Sequence, residues 1–137
     1  MSALRALLVP VVLLAGVLLS CTTPEAPYVR VIEPLALPEG PRIYIISNRD
    51  SQRIVESIEK SGLQIAKGIS KANLLLRVNF GTDRRRTAEC GQIRNVKYDL
   101  RRANRLVLWI QGRGPTGTCS DNIVDQMTTE LARLLGG

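Results

Sequence analysis

Histidine is absent from the 137 residues. That absence removes Ser-His-Asp and Cys-His nucleophilic catalysis and His-ligated zinc, whatever the fold. Aromatic side chains are nearly as scarce, with one Trp, one Phe and three Tyr. Nucleic-acid binding through stacked bases therefore has only Trp109 and Tyr98 to draw on, and is not expected. The three cysteines, Cys21, Cys90 and Cys119, form no C-x-x-C pair and no metal-ligand cluster. No spacing of carboxylates or lysines recommends an acid–base site. The expectation is a non-enzyme with no catalytic residues, no metal and no soluble cofactor. Long apolar runs are lacking too. The longest, residues 6–19, holds 14 residues interrupted by Pro10 and Gly16, where a helix needs roughly 20 to cross a bilayer core.

What is present at the N-terminus is a secretory signal in order: a cation at Arg5, that apolar run, then Leu18-Leu19-Ser20-Cys21. The ending resembles the lipobox of bacterial lipoproteins, in which an apolar and a small residue precede an obligatory cysteine. The resemblance implies cleavage after Ser20, a diacylglycerol thioether on Cys21, and a third acyl chain, such as palmitate, on the new amino group. A thiolate is the fitting acceptor because it is a strong nucleophile. Two or three chains hold a protein stably on a membrane where one does not. Thr22 stands where an aspartate would imply retention at the inner membrane. The resemblance therefore points to the periplasmic face of the outer membrane.

Residues 1–20 are thus read as signal, 21–41 as lipidated cysteine and tether, and 42–137 as one α/β domain. The tether holds Pro24, Pro27, Pro34, Pro38 and Pro41, five of seven prolines, a density that favours extended chain over helix. Val29-Arg30-Val31-Ile32 is short and β-branched enough to add an edge strand. Loss of Arg5 leaves 18 basic and 12 acidic residues, a net +6, which favours anionic partners or a plainly solvated basic surface. With Cys21 lipidated, Cys90 and Cys119 are an even pair in an exported chain, and are expected to form a disulfide.

Periodicity sets the fold. Ile43-Tyr44-Ile45-Ile46 reads as a buried strand. Asp50 or Ser51 then caps a helix to about Lys60, with Ile54, Val55 and Ile58 inward and Gly62 as terminator. Residues 73–80 alternate, with Leu74, Leu76, Val78 and Phe80 on one face. Val96, Tyr98 and Leu100 and then Leu106, Leu108 and Ile110 make a hairpin. A three-residue loop, Arg102-Ala103-Asn104, keeps both apolar sets on one side, pairing Tyr98 with Leu108 and placing Asn104 in the left-handed region. A last helix from about Asp121 to Leu135, capped by Ser120, carries Ile123, Val124, Met127, Leu131, Leu134 and Leu135. The fold class is α+β: a two-layer α/β sandwich in the order β-α-β-β-β-α, with a mixed four-stranded sheet and two helices on one face.

The face opposite the helices receives Leu75, Arg77, Asn79, Asn95, Lys97, Asp99, Val107, Trp109 and Gln111. Arg77, Lys97, Trp109 and Gln111 form the candidate binding face, with Trp109 directly across from Lys97. A tryptophan among cations and amides suits a sugar ring, an acyl chain or a partner protein. Two plainer readings stand beside it: a local cation–π pair between Lys97 and Trp109, or a face covered by residues 22–41. Arg84-Arg85-Arg86 and Arg101, Arg102 and Arg105 fall in loops at opposite ends of the sheet, as phosphate contacts or as solvated charge.

The segment IVESIEKSGLQIAKGISKANLLLRVNF, residues 54–80, resembles the helix, S-G-apolar and strand order of small α/β envelope lipoproteins. Those of curli secretion, lipopolysaccharide assembly and penicillin-binding-protein activation share that plan. The resemblance covers about a quarter of the chain and implies a non-enzymatic adaptor that docks on an envelope machine. The expected partners are the membrane through the lipid anchor and an envelope protein. The alternative is direct binding of an anionic envelope glycan or lipid.

Overall fold

The computed structural model describes residues 26–82, 85–87 and 90–136. The signal, Cys21 and Arg84 lie outside the described residues. The elements are β1 (Tyr28–Val31), β2 (Arg42–Ser47), α1 (Ser51–Lys60), β3 (Gln64–Ile65), a 3₁₀ turn (Ile69–Lys71), β4 (Leu74–Phe80), β5 (Arg85–Thr87), β6 (Gly91–Arg102), β7 (Arg105–Pro115) and α2 (Ile123–Leu134).

The sheet has seven strands rather than four. Its order is β1-β7-β6-β4-β2-β3, with β5 pairing β6 outside that path. The four expected strands form its contiguous centre. Helix α1 crosses between β2 and β4, which run parallel, with Ile45 beside Leu76. Strands β4, β6 and β7 are antiparallel. The additions are short strands: β3 extends the β2 edge with two residues, and β1 closes the other edge, antiparallel to β7. The sheet thus begins at Tyr28, inside the segment read as tether.

The hairpin turns in two residues, not three. Ala103 and Asn104 both take positive φ, 49° and 66°, as a tight hairpin turn of this hand requires. Arg102 pairs with Arg105, and Tyr98 faces Ile110 instead of Leu108. An irregularity between Leu100 and Arg101 adds the extra residue on β7. Relative to the expected register the pairing is displaced by two residues, an even number, so every side chain except those at the bulge keeps its face. Val107 is the exception. It was assigned to the open face, and at the bulge it is completely buried.

Both helices lie on one face, over Ile43, Leu74, Leu76, Val78, Tyr98, Leu100, Leu108 and Ile110. From α1 come Ile54 and Ile58, and from α2 Ile123, Val124, Met127 and Leu131. Their starts differ from expectation. Asp50 precedes α1 with φ 48° and no side-chain cap, and α2 is capped by Asn122, whose Oδ1 accepts from the Asp125 N–H at 2.8 Å, rather than by Ser120. Gly112 lets α2 lie close on β7, since a Cβ there would fall 2.6 Å from Ile123 Cδ1.

Cys90 and Cys119 are joined, with their Cα atoms 5.5 Å apart. The bridge ties the start of β6 to the segment that leads into α2. Backbone bonds reinforce it: Gly117 N–H donates to the Cys90 carbonyl at 2.9 Å, and Thr116 N–H to that of Gln92 at 3.0 Å. No helix of the described residues is long and apolar enough to cross a membrane.

Candidate functional site

The open sheet face is built in cross-strand rungs. One runs Arg30, Trp109, Asp99, Arg77 and Ile46 across β1, β7, β6, β4 and β2. The next runs Tyr28, Gln111, Lys97 and Asn79. Asp99, not Lys97, is therefore directly across from Trp109. Lys97 is one rung along, and its ammonium still lies 5.5 Å from the indole centroid. Tyr28 reaches diagonally to the same ring, with centroids 5.3 Å apart and planes inclined 39°. Trp109 thus stands between a cation and a second aromatic ring, a contact that sequence pattern alone did not pair.

Charge on this face is lopsided. Arg30 and Arg77 are exposed and Lys97 is partly so. The carboxylate among them, Asp99, lies 3.7 Å from Lys97 Nζ. Beyond the Tyr28 rung an open cleft of about 430 Å³ is bordered by Ala26, Tyr28, Asn95, Gln111, Gly112 and Arg113. Amide donors, an aromatic edge and a guanidinium line one depression there, a mixture suited to hydroxyl-rich or anionic groups.

Residues 26–41 do not cover these positions. Arg77, Asn79, Asn95 and Gln111 remain exposed. The connection after β1 runs instead past the hairpin end of the sheet, and the hairpin arginines hold it there. Arg102 Nη1 donates to the Ala36 carbonyl at 3.3 Å, and Arg105 pairs with Glu33 at 3.5 Å. Farther on, Asn73 Nδ2 donates to the Gly40 carbonyl at 2.9 Å. Arg102 and Arg105 are thereby engaged within the fold.

A second polar constellation, unforeseen from the sequence, lies under the helices. Asp125 Oδ1 is 2.7 Å from Ser57 Oγ and 3.4 Å from Arg53 Nη1, and its Oδ2 accepts from Asn122 Nδ2 at 2.9 Å. Ser57 Oγ is also 3.0 Å from Thr128 Oγ1, which is 3.0 Å from the buried Tyr98 hydroxyl. A carboxylate only accepts, so the Ser57 proton goes to Asp125, the Thr128 proton to Ser57, and the Tyr98 proton to Thr128. Burial pushes the Asp125 pKa up, but the hydrogen bonds from Asn122 and Ser57 and the Arg53 guanidinium outweigh it and hold the carboxyl below its ordinary value. Burial pushes the Tyr98 phenol far up, so it stays protonated as a donor. Arg53 Nη2 meanwhile donates to the Gly117 carbonyl at 3.2 Å, beside the disulfide. Each of these hydroxyl protons is engaged internally, so the network clasps α1, α2 and β6 together. Its signal in the sequence is the spacing Asn122, Asp125, Thr128, polar residues three apart beside the apolar stripe of α2.

Among the described residues no group of three or more carboxylates and cysteines is placed to hold a metal ion.

No family model matches the chain, and no curated protein does. Similar solved structures include the PelC dodecamer from Paraburkholderia phytofirmans, at TM-score 0.46 and 16% identity, covering 80% of this chain and 94% of that one. A point variant of the same dodecamer gives 0.46 and 17% over the same shares. A DUF330 protein from Xanthomonas campestris gives 0.38 and 15%, covering 81% of this chain and 93% of that one. None of these similarities establishes a family.

Proposed function

We propose that this chain is a lipid-anchored, non-catalytic accessory subunit of a cell-envelope assembly, secretion or transport complex. It is held through Cys21 at the periplasmic face of the outer membrane and binds through its open sheet face. The observation that carries the reading is the open sheet face on which Arg77 and Gln111 are exposed and Trp109 is half-buried, with Tyr28 and Lys97 against its ring. The absence of histidine and the closed Ser57–Asp125 clasp support a binding role over a catalytic one.

Two experiments test its halves. Cys21→Ala is expected to abolish palmitate labelling and to leave the uncleaved precursor; normal labelling and processing would refute the anchor. Photo-crosslinking residues placed at Arg77 and Gln111 are expected to capture an envelope partner in cells. The same probe at Glu56 and Glu59, exposed on α1, is expected to capture none. Crosslinks from α1 alone would move the interface to the helical layer.

The charge of the face favours a second reading, in which it takes an anionic envelope glycan or lipid directly. Arg30, Arg77 and Lys97 stand against one carboxylate that already faces Lys97. Such binding weakens steeply with ionic strength, whereas a packed protein interface weakens less.

A further inference from the structure

We propose that the β1-side part of the open face, carried by Tyr28, Arg30, Lys97, Trp109 and Gln111, docks on the anionic phospholipid surface of the leaflet that holds the anchor. The inference rests on Cys21 being the lipid attachment.

Reach comes first. Only seven peptide units separate Cys21 from Tyr28, so the two lie at most about 25 Å apart along a taut chain. A slack chain of that length spans on the order of 15 Å. Because Tyr28 is already fixed beside Gln111, the sheet cannot stand far from the bilayer, and the part nearest the lipid is the Tyr28–Gln111 rung. Trp109 is two residues from that rung, roughly 7 Å along the strand.

Chemistry then selects this face. Tyr and Trp rings prefer the headgroup level of a membrane, with an apolar body and a polar edge. Here they form a tilted pair with Tyr28 63% exposed. Arg30 is directly across from Trp109, and Lys97 lies over its ring. The helical layer on the other side exposes Glu56 and Glu59 on α1 and Asp121 at the approach to α2, carboxylates that outnumber its exposed Lys60 and Arg133 and that an anionic surface repels. Charge thus orients the domain with the sheet toward lipid and the helices toward the periplasm. Each exposed cation close to an anionic leaflet strengthens docking by about fivefold.

Trp109 is the chain's single tryptophan, so its fluorescence reports on this face alone. The mature lipidated protein would be reconstituted on phosphatidylcholine vesicles and on vesicles containing phosphatidylglycerol. Flotation reads the anchor; emission and acrylamide quenching read the docking. The expected result is flotation with both. A Trp109 further blue-shifted and quencher-protected is expected only on the anionic vesicles, returning to the signal seen on phosphatidylcholine as salt is raised toward 1 M, where the screening length is about 3 Å. Arg30→Gln should weaken the docked state about fivefold.

Equal emission and quenching on the two compositions would overturn the proposal while leaving the anchor intact. Failure to float with either would overturn both. Protection of Trp109 by soluble polygalacturonate but not by anionic vesicles would overturn it in favour of an acidic glycan.

Discussion

Replacing Cys90 and Cys119 together by serine should lower the stability of the domain by roughly 3–4 kcal/mol, the loop-closure entropy of a bridge spanning 29 residues. A domain of this size is stabilised by about 5–15 kcal/mol in all, so the loss is a large share. The structure says where it would be felt. The bridge fixes the start of β6 to the approach to α2, and Gly117 packs so tightly that a Cβ there would fall 2.5 Å from the Cys90 carbonyl oxygen. Arg53 on α1 grips the carbonyl of the same Gly117. Without the bridge this end of the sheet keeps its backbone bonds but loses the constraint on the unfolded chain. Urea denaturation of the oxidised protein and the double variant would measure it, with an expected fall in midpoint of roughly 1–4 M given slopes of about 1–3 kcal/mol per M. An unchanged midpoint would show that the bridge contributes nothing net.

Asp125→Ala should destabilise by about 2–3 kcal/mol, a figure reduced from that for fully buried pairs because Asp125 is partly solvated. The variant strands the Ser57 proton and leaves the Arg53 guanidinium, 18% exposed, without its carboxylate. Lys60 adds little, since its ammonium lies 3.9 Å away and is mostly exposed. The pH dependence has a definite sign. The folded-state pKa of Asp125 is depressed, so as pH falls the unfolded chain takes up the proton first. The contribution is complete above the ordinary aspartate value of about 3.9 and is lost as pH falls through the lower folded value. The thermal midpoints of wild type and Asp125→Asn should therefore converge in acid and separate toward neutrality. A gap independent of pH would mean that the carboxylate's charge plays no part.

The central architecture was legible because its apolar side chains repeat with unambiguous periods. Leu74, Leu76, Val78 and Phe80 can only line one face of a strand, and Ile54 with Ile58 only one face of a helix. The hairpin register was not legible in full. Both apolar sets are satisfied by pairings that differ by two residues, and only the bulge that buries Val107 decides between them. The very short strands β3 and β5 carry too few side chains for any pattern. At the open face, Arg77, Lys97, Trp109 and Gln111 were placed correctly by parity. The edge strand expected at Val29–Ile32 is present as β1, one residue earlier, and the Tyr28 ring was missed because it lies just outside that β-branched run. The Asp125 clasp was missed for a related reason. Ser57 and Thr128 are 71 residues apart, and the Asn122, Asp125, Thr128 spacing marks a polar stripe on α2 without naming what it meets.

The pairing of β1 with β7 has a consequence for the order of folding. Tyr28 and Gln111 are partners separated by 83 positions, the difference of their numbers. The chain is made from its N-terminus, so β1 comes first and cannot pair until β7 is available. Contacts of such long sequence separation form slowly. Until β1 returns, β7 stands as a bare outer strand with Trp109 on it, open to pairing with the wrong chain. The first strand of the sheet thus waits on a partner near the other end of the sequence.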